Sequence, residues 1–206
     1  HKGIHSPRFA YKYSPNKTHT LRASFGTGFR VVNLFTEDHA ALTGSRDVII
    51  KNDLNPEKSY NGNLNYVYNK TFGFGNLNLD ATAFYSYFTN KIIGDFETNN
   101  NQIIYDNLDG HAVSQGVSVN ADILFNFPLK MNVGISYIDV FRKENNDDVT
   151  TKIQHLHSPK WSGNYTLSYA FPKKWTVDLT GNWYGKMRLP ILENDFSKIK
   201  EIQKKY

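Results

Sequence analysis

The residues able to do chemistry are few and scattered. His155 and His157 form an H-x-H pair, and in a strand both imidazoles would leave one face, close enough to share a metal ion. No carboxylate or third histidine stands at a supporting spacing, and metal centres are usually built from three or four ligands. The pair is therefore a weak metal candidate, and we expect no metal and no cofactor. Asn145-Asn146-Asp147-Asp148 offers carboxylates but lacks the twelve-residue ligand spacing and the glycine of a calcium loop, so it reads as an exposed loop tip. The stretches "GTGFR" (26–30) and "GFG" (73–75) are short and lie between strand-like segments, whereas phosphate loops lead into a helix N-terminus. There is no cysteine and no Gly-x-Ser-x-Gly elbow, and the histidines are dispersed, so no nucleophile and base can be assembled. We expect no enzyme.

Binding is a better prospect. The connection from Val31 to Pro56 exceeds the ~12–15 residues beyond which a loop is usually functional or disordered. It carries Asn33, Phe35, Glu37, Asp38, His39, Arg46 and Asp47, which we take as ligand-binding candidates. Arg30 stands at its root. Its planar fork of donors suits an anionic ligand, and suits a salt bridge within the wall equally well.

These residues must be held by strands. From Tyr60 to Tyr87 an apolar or aromatic residue alternates with a small polar one, twice over, across a short turn. Leu77, Leu79, Ala81, Ala83, Tyr85 and Tyr87 share one face, and Asn76, Asn78, Asp80, Thr82 and Ser86 the other, with Phe84 the bulky exception. The same period predicts eight strands at about 8–13, 18–30, 57–69, 75–95, 103–127, 130–142, 152–171 and 174–187. Tight turns and long or polar connections alternate strictly between them. In a meander this puts every turn at one rim and every loop at the other, as in outer-membrane barrels.

The aromatics follow the same geometry. Strands entering a turn end in pairs on the apolar face: Tyr11 and Tyr13, Tyr66 and Tyr68, Phe125 and Phe127, Tyr169 and Phe171. Strands leaving the turns carry Phe25, Tyr85 with Tyr87, Tyr137 and Trp183 toward the loop end, with aliphatic or small residues between. Two girdles flanking an apolar band are what a bilayer selects. The eight steps from Trp175 to Trp183 cover roughly 26 Å of strand, or roughly 19 Å of height at a ~45° tilt.

The formal charge of +5 is dispersed along the chain, which argues against nucleic acid as a partner. No apolar run approaches the ~20 residues of a transmembrane helix, which leaves a barrel open. Composition and periodicity alone admit three architectures. They are a segment of a large barrel, a small eight-stranded channel or adhesin, and a soluble β-sandwich, its rings filling the core or serving as aromatic platforms for carbohydrate.

Two stretches carry a resemblance. "SPRFAYKYSPNKTHTLRASFGTGFR" (6–30), followed by "DLNPEKSYNGNLNYVY" (53–68), is similar to the barrel of TonB-dependent outer-membrane receptors in a Bacteroidetes-like style. "AFYSYFTNKI" (83–92), "IIYDNLDGHAVSQGVSV" (103–119) and "YGKMRLP" (184–190) resemble later strands of that family. The resemblance implies an all-β fold: an antiparallel up-and-down transmembrane β-barrel segment, about eight strands of a barrel of roughly 22. It implies that residues 1–206 form a partial barrel domain, with the plug domain and the terminal barrel strands outside it. It further implies location in the outer membrane, contact with lipid, and coupling to TonB through an N-terminal region. The cargo would be a scarce ligand such as a ferric siderophore, haem or cobalamin.

Overall fold

The computed structural model describes residues 5–31, 47–50, 54–95, 102–146, 149–155 and 157–189, all in strands and their connections. Twelve strands occur among them: β1 Arg8–Tyr13, β2 His19–Arg30, β3 Asp47–Ile50, β4 Glu57–Phe72, β5 Gly75–Thr89, β6 Ile92–Asp95, β7 Gln102–Asn107, β8 Gly110–Phe125, β9 Leu129–Asn146, β10 Val149–Gln154, β11 Trp161–Phe171 and β12 Trp175–Tyr184.

Eight of these build the wall in the order β1-β2-β4-β5-β8-β9-β11-β12, each antiparallel to the next, with β10 also paired to β9. This is the predicted meander. β1 and β12 each have one wall neighbour and do not pair with each other, so the eight strands form an open arc and not a small closed barrel.

Cross-strand partners point to one face of a sheet. The row Tyr13, Leu21, Tyr66, Ala81, Val119, Ile135, Gly163 and Trp183 is apolar from edge to edge. The next row toward the turn rim on the other face, Thr20, Val67, Asp80, Asn120, Gly134, Asn164 and Asn182, is polar apart from Val67 and Gly134. Among the described residues no second sheet covers the apolar face: Phe25, Leu64, Val117, Ile135, Val177 and Leu179 are all exposed. A water-soluble sandwich would bury them, and a barrel wall presents them to lipid.

The polar face is knit together by side chains. Arg22 donates to Asn65 (3.0 Å), and Asn65 donates to Asp80 (2.8 Å) and Thr82 (2.9 Å). A second ladder runs through Asn78, Asp122, Asn132 and Asn164, with Asn132 donating to Asp122 at 2.6 Å. Phe84, the exception in the alternation, is paired with Gly116, and its ring occupies the space a side chain there would take. On the outer face the rings of Tyr165 and Trp183 likewise lie against their partners Gly181 and Gly163.

Three predicted strands are interrupted. Residues 75–95 bend at Asn90, which has φ 52°, and 103–127 divides at Leu108-Asp109 ahead of Gly110, which has φ 140°. The hairpin thereby leaves the wall, and its upper part becomes a separate three-stranded sheet of order β3-β7-β6, with β3 parallel to β7. A Cβ at Gly110 would collide with the Lys143 carbonyl, so only glycine fits this departure. Residues 152–171 are broken by an irregular stretch between β10 and β11 that carries Ser158-Pro159. Proline withdraws an N–H from the ladder.

The buried core is at this loop end. Ile92, Ile103 and Tyr105 cluster in the small sheet, with Ile50 and Leu54 packed on them.

Candidate ligand-facing mouth

Where the wall meets the small sheet, the strands deliver a cluster of charges to their polar, inward face. Arg30 ends β2 and Glu57 opens β4, and the two are paired in register. Arg30 Nη2 lies 3.3 Å from Glu57 Oε2. The same oxygen accepts from the Ile92 N–H at 3.2 Å, and Arg30 donates to the Ile92 carbonyl at 3.4 Å. Glu57 therefore ties the wall to the root of the small sheet. Of the two readings of Arg30, the wall salt bridge is present, and the Arg30 side chain stays about half exposed (48%).

Phe88 and Arg142 fall on this face by alternation, in the row Gly28, Ser59, Phe88, Ala112, Arg142. Arg142 Nε sits 2.6 Å from Glu144 Oε1, out of line for a hydrogen bond, so the contact is one of charge. Lys91 reaches over the Phe88 ring, 5.6 Å from its centroid. Burial pushes the Lys91 ammonium below its ordinary value of 10.5; Glu57 opposes that shift, and Arg142 and Arg30 add to it. Among the described residues, three cations and two carboxylates thus share this face, with Lys91 over the Phe88 ring. The surplus cation, Lys91, is partly desolvated.

The loop leading into β4 is fixed by one amide. Asn107 accepts from the Asn55 N–H (2.7 Å) and donates to the carbonyls of Asn55 (3.0 Å) and Asn90 (2.8 Å).

Of the sequence candidates, Arg30 is the one placed at this mouth. Asn33, Phe35, Glu37, Asp38, His39 and Arg46 lie outside the described residues, as do Asp147 and Asp148. Asp47 begins β3 and pairs with Gln102. His155 and His157 are not in a strand: β10 ends at Gln154, and His157 has φ 53°. The shared face expected of an H-x-H strand therefore does not form. Among the described residues no group of three or more potential metal ligands comes together. Sequence reasoning passed over Glu57, Lys91, Asn107 and Arg142. Glu57 and Arg142 keep the polar-face alternation and so were findable, whereas Lys91 and Asn107 act through a bend that no period announces.

Residues 1–202 match the family described as "TonB dependent receptor-like, beta-barrel". Among curated proteins none matches. Solved structures with the same fold include the FrpB iron transporter from Neisseria meningitidis (F3-3 variant), at 16% identity and TM-score 0.66, covering 87% of this chain and 26% of that one. The copper transporter OprC aligns at 16% identity and TM-score 0.66, over 90% of this chain and 27% of its own. The siderophore receptor PirA from Acinetobacter baumannii aligns at 15% identity and TM-score 0.64, over 94% and 30%. The chain spans about a quarter to a third of the length of these structures.

Proposed function

The chain belongs to the TonB-dependent receptor family, as β-barrel wall of the outer membrane, and from that premise we propose that it forms part of the wall and mouth of a receptor importing a scarce, anionic metal chelate. Ferric siderophores and haem are the candidate cargoes of that class, and cobalamin, which carries no net negative charge, is the third cargo the family suggests. Energy would come from TonB, engaged through a region of the receptor outside these residues. The family is one of transport and not of catalysis.

One observation carries the reading: the inward mouth holds Arg30, Lys91 and Arg142 against Glu57 and Glu144 beside Phe88, an aromatic and net-cationic surface. Desolvated cations attract an anion more strongly than solvated ones. Below it the inward face mixes neutral amides and hydroxyls with Arg8, Lys12, Arg22, Lys130, Asp80, Asp122 and Asp178, and Arg22, Asp80 and Asp122 are hydrogen-bonded among the amides.

The test is growth of a strain deleted for the gene, supplied with each candidate as sole source. Loss of growth on one of them, restored by the full-length gene, is expected. The double variant Arg30→Ala, Arg142→Ala should need at least about tenfold more of that nutrient at equal surface abundance. Growth on every candidate without the gene would end the proposal.

A further inference from the structure

A second cationic feature lies on the opposite, lipid-facing side of the wall. Tyr137, Asp139 and Phe141 alternate onto the outer face of β9, and the Tyr137 ring packs at a tilt against Trp161 (4.9 Å between centroids) in the loop-side girdle. Asp139 stands two residues beyond that girdle, about 7 Å further along the strand. It is buried, and it binds Lys152 (3.1 Å), Lys160 (3.3 Å) and Gln154 (2.8 Å). Lys152 also sits 3.7 Å above the Phe141 ring, which fixes these ammonium groups outside the lumen.

Next to this cluster is an open hollow of about 500 Å³, lined by Gln154, Ser158, Lys160, Trp161, Lys186 and Arg188. Its lining contains three cations and no carboxylate. Asp139 already serves two lysines, and among the described residues Lys186 and Arg188 have no acidic partner. The interruption between β10 and β11 creates the space: His157 donates its N–H to the Arg188 carbonyl, and Gly185 donates to that of Trp161, so the segment after β12 folds along the break.

Lys186 and Arg188, with the Asp139-paired Lys160 and the exposed Trp161 indole, line one hollow at the height where acyl chains end, and the set matches one kind of ligand. We infer that this hollow seats the phosphate of an anionic lipid headgroup from the loop-side leaflet, with the first carbons of the lipid on Trp161. Basic pockets beside membrane segments hold headgroups in this way. A free anion in solution would have no use for the exposed indole, which is continuous with the lipid-facing surface. The inference is independent of the cargo proposed above.

The test uses the full-length receptor purified in neutral detergent and titrated with phosphatidic acid, with diacylglycerol of the same chains, or with inorganic phosphate, read by native mass spectrometry. Phosphatidic acid should bind, diacylglycerol should not, and excess inorganic phosphate should leave the lipid in place. The variant Lys186→Gln, Arg188→Gln should weaken phosphatidic acid about thirtyfold, roughly fivefold for each cation. The charge-keeping variant Lys186→Arg, Arg188→Lys should stay within about threefold, which separates lost charge from lost structure. Equal retention of diacylglycerol, or unchanged affinity in the glutamine variant, would overturn the inference. Displacement of the lipid by inorganic phosphate would overturn it in favour of a free-anion site.

Discussion

Tyr11 and Trp161 lie in one cross-strand row, six strand pairings apart, through Ala23, Leu64, Ala83, Val117 and Tyr137. Tyr11 belongs to the turn-side girdle and Trp161 to the loop-side girdle. A single row can join the two girdles only if the rows run obliquely to the membrane, which means that the strands are tilted. Barrel closure demands that tilt.

With this geometry, the bilayer midplane on β9 falls between Leu129 and Tyr137, near Val133, which is exposed on the outer face. Val133→Arg should destabilise the folded barrel by about 2–4 kcal/mol. Thr180→Arg, on the inward face of β12, should cost under about 1 kcal/mol. Urea titrations of both variants in the full receptor refolded into bilayers check the contrast, and equal costs would contradict the assignment of faces.

Asn107 links three backbone groups across the bend where the small sheet leaves the wall. Removing its amide leaves part-buried partners unsatisfied, at about 1–3 kcal/mol locally. Asn107→Ala should therefore speed hydrogen exchange at Asn55 and in β6 while leaving β8 and β9 protected. Mass spectrometry of the exchanged peptides reads this directly.

Burial works to raise the Asp139 pKa, and the hydrogen bonds from Gln154, Lys152 and Lys160 outweigh it and hold the carboxyl below its ordinary value of 3.8. Because the folded value is the lower one, the stabilisation is present above about pH 4 and is lost as pH falls through the folded value. The stability advantage of the wild type over Asp139→Asn should shrink below about pH 4 and be steady from about pH 5 to 8. Denaturant midpoints of the two proteins across that range measure it, and a gap that does not change with pH would refute the account.

Lys173 and Lys174 close the β11–β12 turn with φ of 73° and 66°, a region that L side chains adopt at a cost. Lys174→Gly should stabilise the hairpin by about 0.5–1 kcal/mol. Unfolding rates of the full receptor under denaturant provide the check.

The wall was legible because a lipid-facing strand obeys one rule along its whole length. Leu77, Leu79, Ala81 and Ala83 must face one way, and no tertiary partner competes for them. The mouth was less legible. Ile103 and Tyr105 extend the apolar alternation of β8, and nothing in the residue pattern says that they cluster with Ile92 against Ile50 instead of facing lipid. The bend at Asn90 is a single left-handed residue, within the tolerance of asparagine but not announced by it. Phe84 is explained only by its partner Gly116, a matter of register between distant strands. The histidine pair failed as strand geometry because Ser158-Pro159 follows it so closely, a break that the sequence did display.

Among the described residues a carboxylate and an amide, Glu57 and Asn107, help to tie the small sheet to the wall, and the sheet keeps its own cluster of Ile92, Ile103 and Tyr105. Its residues can therefore change without disturbing the staves beneath, whose girdled outer face answers to the bilayer alone.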